Sequence, residues 1–87
     1  MIHGEYFITP HAVHQFIERV PGYRRFPFEV ARNVIIYALR HFARSTQPTR
    51  SGEGLCVRVR SPHVNFRAIV MPGQPAPSVV TILRSGN

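Results

Sequence analysis

The hydrophobic pattern of this chain changes period once, at Leu55, and that change restricts the fold more than any other feature. Before Leu55 apolar residues recur at helical spacing; after it they alternate with polar ones. Tyr6-Phe7-Ile8 is a short apolar lead-in suited to an edge strand. Thr9-Pro10 then starts a helix, with Thr9 as N-cap and Pro10 in the first helical position. Val13, Phe16, Ile17 and Val20 make its apolar stripe, and Pro21-Gly22 stops it. His11, His14, Gln15 and Glu18 fall on the opposite side, with Arg19 at the border. Gly22 to Phe26 is a connector holding Arg24 and Arg25 between Tyr23 and Phe26. A second helix is predicted from about Pro27 to Arg44. Val30, Ala31, Val34, Ile35, Ala38 and Phe42 form its core stripe. Its outer face holds Arg32, Arg40 and Arg44 with Ile36 exposed among them, and His41 lies beside the stripe as a partly buried packing residue. Ser45 to Gly54 reads as a polar loop.

In the second half, Leu55, Val57 and Val59 alternate with Cys56, Arg58 and Arg60, a half-buried strand with a basic outer side. Ser61-Pro62-His63 makes a turn, and Val64 to Met71 alternates again as a second strand. A connection with Pro72, Pro75 and Pro77 leads to a third strand, Val79 to Arg84, and Ser85-Gly86-Asn87 reads as a frayed end. Short loops between neighbouring strands favour antiparallel pairing. The fold class expected is α+β: one domain over residues 1–87, with two N-terminal helices packed on one face of a curved three- to four-stranded antiparallel sheet.

Charge narrows the function. The chain of 87 residues carries a formal net charge of +7, from eleven basic and four acidic residues. Every basic residue is Arg and every acidic one Glu; Lys and Asp are absent. An Asp-built calcium or magnesium site is thereby excluded, and a P-loop, which needs its Lys, is a poor fit. A paired-carboxylate glycosidase is a poor fit. Cys56 stands alone, so neither an intrachain disulfide nor a Cys-based zinc site can form. No stretch approaches the ~20 apolar residues that span a bilayer, and the N-terminus lacks a signal-peptide run. The expectation is a soluble, cytoplasmic protein without a membrane partner.

After Glu53 the sequence contains no acid. Arg58, Arg60, Arg67 and Arg84 therefore stand on the strands without a counter-ion from that half. Guanidiniums gathered on one sheet face repel one another, and an anion is their natural complement. The plainer alternative is a solvated outer face of an amphipathic sheet. Arginine donors match two phosphate oxygens together and stack on bases, so nucleic acid is the first anion to consider.

The segment Ile8 to Val20, ITPHAVHQFIERV, resembles the opening helix of small RelE-like domains, the group that also includes barnase-like, EndoU-like and colicin-type nucleases. Short prokaryotic and phage members often carry a His-Ala pair there and an Arg eight residues after the His; His11, Ala12 and Arg19 match. The ending Val79-Val80-Thr81-Ile82-Leu83-Arg84 is similar to that group's last strand, where a valine pair precedes a Thr and a basic residue closes the strand. Many members have a further Arg four residues after the His; Gln15 stands at that position here.

The resemblance implies metal-independent RNA cleavage, or RNA binding descended from it. A base removes the 2′-hydroxyl proton, the oxygen attacks phosphorus, and cations stabilise the developing charge. Histidine suits such proton transfers. His11 is the candidate general acid or base, Arg58 and Arg67 the candidates for stabilising the phosphorane, and Thr81 the candidate hydrogen-bond donor to the scissile phosphate. Arg19, Arg24, Arg25, Arg58, Arg60, Arg67 and Arg84 are the candidate nucleic-acid contacts. No cofactor or metal is expected; His11, His14 and Glu18 share a helical side, but no further strong ligands accompany them. Each candidate has a structural alternative: a solvent-facing His11, a strand-forming Thr81, and for Cys56 the place of a small strand residue. Two further readings stand beside the nuclease. One is a non-catalytic, basic, phage-type regulator that binds a large host machine such as RNA polymerase or the ribosome, to which the apolar surface exposed by Ile36 and Tyr37 on the second helix points; the other is a toxin held by an acidic antitoxin.

Overall fold

The computed structural model describes residues 6–73 and 76–84; the expectations for Pro75 and for the Ser85–Asn87 end lie outside the described residues. The elements run β1 (Phe7–Ile8), α1 (Pro10–Arg19), α2 (Phe28–Phe42), β2 (Ala43–Pro48), β3 (Leu55–Arg60), β4 (Asn65–Met71) and β5 (Ser78–Arg84). The strands form one sheet in the order β1-β5-β4-β3-β2. The α+β class holds, with the helices preceding the main strands. The all-antiparallel sheet of three or four strands is corrected in two ways. β1 pairs parallel to β5, and the polar segment expected as a loop supplies β2, antiparallel to β3. β2 has every residue exposed, so no burial periodicity marks it; main-chain pairing with β3 defines it.

The helix boundaries follow their caps. Thr9 Oγ1 accepts the Ala12 N–H at 3.1 Å, and its hydroxyl donates to the Val79 carbonyl at 2.9 Å. One side chain thus caps α1 and ties it to β5. The Val20 N–H closes the last turn on the Phe16 carbonyl. Gly22, at φ +95°, then takes the left-handed conformation that lets the chain reverse. In α2, Glu29 in the first turn and Arg40 in the last complement the helix dipole.

Both helices pack on one face of the sheet. Ala12, Val13 and Phe16 of α1 and Ala31, Ile35, Ala38 and Leu39 of α2 are buried with Val57, Val59, Phe66, Ala68, Val70, Val79 and Ile82. Phe16 sits centrally, edge-on to Phe66 at 5.4 Å between ring centroids and 4.8 Å from Tyr23. In α2 the buried side is rotated from the expected stripe. Leu39 is inside, whereas Val30 is 42% exposed and Val34 and Phe42 are only half-buried. Ile36, expected among the exposed residues, packs against the core, and His41 is exposed, with its ring 4.4 Å from that of Tyr37.

β1 covers only Ser78 and Val79 of β5. Past that point β5 would be an open edge, with main-chain groups left unpaired. Helix α1 closes it with side chains. Gln15 Oε1 accepts the Ile82 N–H at 2.9 Å, and Arg19 Nη1 donates to the Ile82 carbonyl at 3.0 Å. Together with Thr9 on Val79, these three polar side chains do along β5 what a longer β1 would have done.

Candidate nucleic-acid interface

Strand parity decides which charges meet. On β3 and β4, Val57 lies opposite Ala68 and Val59 opposite Phe66, all facing the helices. The alternate residues face away: Arg58 lies directly opposite Arg67, Cys56 opposite Ile69, and Arg60 opposite Asn65. Two guanidinium-bearing residues thus occupy one cross-strand pair, a placement that costs stability unless something negative lies between them. No side chain in this half of the chain can supply that charge, since its last acid is Glu53.

The Arg67 side chain shows the same lack of a built-in partner. It is half-buried, its Nη2 donates to the Arg84 carbonyl at 3.3 Å, and its buried Nε has no hydrogen-bond partner among the described residues. Among these residues, the hydrogen bonds of arginine side chains go to main-chain carbonyls. Such contacts leave the guanidinium charge unneutralised.

The turn beside these arginines is tightly organised. The Ser61 hydroxyl accepts the Val64 N–H at 2.9 Å and donates to the Val64 carbonyl at 3.0 Å, while the Ser61 N–H reaches Asn65 Oδ1 at 3.2 Å. This closure fixes Arg60 and Asn65 at the end of the hairpin. With Arg44 and Ser45 from the start of β2, they line a concavity of about 610 Å³ that also includes Arg58 and the Ser61-Pro62 turn. Among the described residues, no carboxylate lines it. Arg44 stands at the irregularity between Ala43 and Ser45, where the β2–β3 register shifts.

A second basic concavity, of about 530 Å³, opens on the helical side. Arg19 from the end of α1, Arg24 and Arg25 from the connector, and Arg84 from the end of β5 line it with Phe26 and Glu18. Arg84 lies opposite Phe66, whose side chain faces the helices, which explains why it joins this group and not Arg67. Both concavities flank the same end of the sheet, where β3 and β5 finish and β2 and β4 begin.

The expected grouping of His11 with the sheet arginines is not formed. His11 is exposed on α1, while Ala12, Val13, Gln15 and Phe16 are the residues that α1 buries. Arg58, Arg67 and Thr81 lie on the face of the sheet that the helices do not cover. The sheet itself therefore separates the proposed base from the proposed phosphate ligands. His14 is exposed too, with its ring 5.5 Å from Phe28. Thr81, opposite Ile69, shares the outer face with Arg67 but not with Arg84. The bulge in β5 comes before Thr81, between it and Val79, so Thr81 and Arg84 keep opposite parity. Cys56 is a half-buried strand residue. Among the described residues no three His, Cys or Glu side chains cluster so as to hold a metal ion, and no helix is long and apolar enough to cross a membrane.

Gln15 takes a role its place on the polar side of α1 did not announce. It is buried and is the acceptor for Ile82. A longer, charged Arg at that position could not accept the Ile82 N–H. The residue that departs from the RelE-like pattern is thus part of the packing between α1 and β5. The apolar surface expected at Ile36 and Tyr37 takes a different form: Ile36 packs against the core, while Tyr37, with Val30, Val34, Phe42, Tyr23 and Val64, lines a largely apolar groove of about 350 Å³ along α2. Its signal lay in the width of the α2 stripe, too broad for one buried face.

Set against known proteins, the chain matches no family model, no curated protein and no solved structure.

Proposed function

We propose that this protein binds RNA through the arginine-lined end of its sheet, and that binding, not His11-dependent cleavage, is its principal activity. One observation carries this reading: Arg58 and Arg67 form a cross-strand pair on the uncovered face, beside a concavity lined by Arg44 and Arg60 and, among the described residues, by no carboxylate. Like charges placed together, with no carboxylate paired to them among the described residues, suit a ligand that brings several negative charges at regular spacing, as a phosphodiester chain does. A RelE-like descent is compatible with this activity and would make it the binding half of an ancestral nuclease.

Anisotropy of a labelled single-stranded RNA titrated with protein tests the reading. The Arg58→Gln/Arg67→Gln double variant should bind roughly tenfold or more weakly, since a hydrogen bond to a charged group contributes about 1.5–3 kcal/mol. His11→Ala should bind as the unsubstituted protein does and leave the lengths of the RNA unchanged. Equal affinity for the double variant would remove the reading. Strand scission lost with His11→Ala would restore the nuclease in its place.

The α2 groove favours a second reading, a regulator that docks on a large protein machine. Tyr37, 60% exposed beside it, is the kind of aromatic that anchors interfaces. Co-sedimentation with purified ribosomes or RNA polymerase, lost on Tyr37→Ser while RNA affinity persists, is the outcome that would establish it.

A further inference from the structure

The second concavity differs in kind from the first. Both are basic, but among the described residues an aromatic ring lines only the one on the helical side. Phe26 lines it and remains 39% exposed, in a connector whose neighbours Arg24 and Arg25 are exposed as well. Its ring is not loose. It stands at 66° to the ring of Tyr23, with centroids 4.8 Å apart, and Tyr23 in turn packs 4.8 Å from the buried Phe16. The Phe26 N–H is bonded to the Tyr23 carbonyl at 3.1 Å, which closes the connector into a turn. An exposed aromatic braced through a second ring onto the core, with arginines around it, is a stacking platform and not merely a solvated loop residue.

The charges in this concavity are mixed in a way that narrows the ligand further. Among the described residues, four guanidiniums, of Arg19, Arg24, Arg25 and Arg84, share the lining with one carboxylate, that of Glu18. The Arg19 guanidinium is partly engaged with the Ile82 carbonyl, which leaves Arg24, Arg25 and Arg84 as the freer cations. Bare phosphate would meet the cations but gain nothing from the ring and be repelled by Glu18. A nucleotide unit uses all three. Its phosphate faces the arginines, its base lies on Phe26, and the donor groups of its base edge or ribose suit the Glu18 carboxylate.

We infer that the concavity between the end of α1, the connector and the end of β5 is a subsite for an unpaired nucleotide of single-stranded RNA, its base stacked on Phe26 and its phosphate held by Arg24, Arg25 and Arg84. This rests on the RNA-binding reading and adds strand class to it. A duplex keeps both faces of each base stacked and can offer nothing to the ring. The two concavities flank one end of the sheet, so a single strand passing round that end meets the phosphate site on the outer face and the nucleotide site on the helical face.

The chain lacks tryptophan, so a single indole placed in the subsite reports it without background. Phe26→Trp keeps the platform, and its fluorescence should be quenched by a short single-stranded RNA of mixed sequence. An abasic strand of equal length and charge should leave it unquenched. In anisotropy, the unsubstituted protein should prefer the base-containing strand over the abasic one by roughly five- to hundredfold, the range of one base–aromatic stack. Phe26→Leu, which keeps an apolar side chain but removes the ring, should abolish that preference and bind both strands alike. Retention of the thermal melting profile by Phe26→Leu would establish that the loss is one of recognition. Arg58→Gln/Arg67→Gln, added to the Phe26→Trp variant, should weaken binding of both strands while leaving the indole quenching by base-containing RNA intact at saturation.

Equal binding of abasic and base-containing strands by the unsubstituted protein would overturn the subsite, while the phosphate-binding reading survived. Quenching of the Phe26→Trp variant by duplex RNA would overturn it too. Failure to bind any strand would sink both proposals together. An acidic polypeptide that bound where RNA did not would identify the surface as a protein interface instead.

Discussion

Gln15 meets a need that a strand would ordinarily meet. β1 stops after Ile8, leaving the Ile82 N–H of β5 without a neighbour, and one amide oxygen from α1 accepts it in a buried setting. Gln15→Leu should therefore destabilise the fold by about 1–3 kcal/mol, the cost of a buried donor without an acceptor, as measured by urea unfolding. Gln15→Glu, which keeps an acceptor oxygen, should retain more of the stability than Gln15→Leu. A Leu variant as stable as the original would show that the contact is incidental. Arg58 makes the opposite case. Because it faces Arg67 across the hairpin, Arg58→Gln should leave the free protein slightly more stable, by about 0.2–1 kcal/mol, while lowering RNA affinity. Stability and binding moving together would mean that the pair is not repulsive. At this scale the sequence was a partial guide. The missing carboxylates after Glu53 and the alternation of Arg58 and Arg60 with valines were plain to read, but the cross-strand register that sets Arg58 against Arg67 was not, because register depends on the turn as well as on the pattern.

Turn chemistry also governs the β2–β3 hairpin. The Thr49 N–H donates to the Gly54 carbonyl and the Gly52 N–H to the Thr49 carbonyl, each at 2.9 Å, with Gly52 at φ +78°. Gly54 is buried, and a Cβ there would lie 2.8 Å from the Val70 carbonyl oxygen and 2.6 Å from Met71 Sδ. The methionine can swing aside, but the main-chain oxygen of β4 cannot. Gly54→Ala should lower stability by about 1–3 kcal/mol, seen as a reduced urea midpoint. An unchanged midpoint would mean that the hairpin approaches β4 less closely than described. Elements with strong periodicity were legible: α1, β3 and β4 fall within a residue or two of expectation, and the Thr9 cap fixed the start of α1. β2 was not, because an exposed edge strand of polar residues has no buried side to mark it. The β5 bulge was equally hidden. By skipping one residue between Val79 and Thr81, it lets Val79 and Ile82 both be buried, a result that strict alternation forbids.

Across the whole molecule the helices and the sheet divide the polar chemistry between two sides. A helix that packs on a sheet turns its polar side away from that sheet, so exposed residues of α1 cannot meet exposed residues on the far face of β3 and β4. This is why His11 and the Arg58–Arg67 pair remain apart although all three are on the polar side of their elements, and why a site assembled from sequence neighbours and a family likeness did not survive placement in three dimensions. What does come together is an arginine-rich end of the sheet, reached from the outer face through Arg44, Arg58 and Arg60 and from the helical face through Arg24, Arg25 and Arg84. The direct measurement is the salt dependence of single-stranded RNA affinity for the unsubstituted protein and for Arg58→Gln/Arg60→Gln. Each phosphate contact contributes a slope of about 0.7 in log affinity against log salt, so losing two should make the slope shallower by roughly 1.4. A steep slope for the unsubstituted protein, reduced by that amount in the double variant, is the expected result. A slope near zero, or one that the substitutions leave unchanged, would contradict the account.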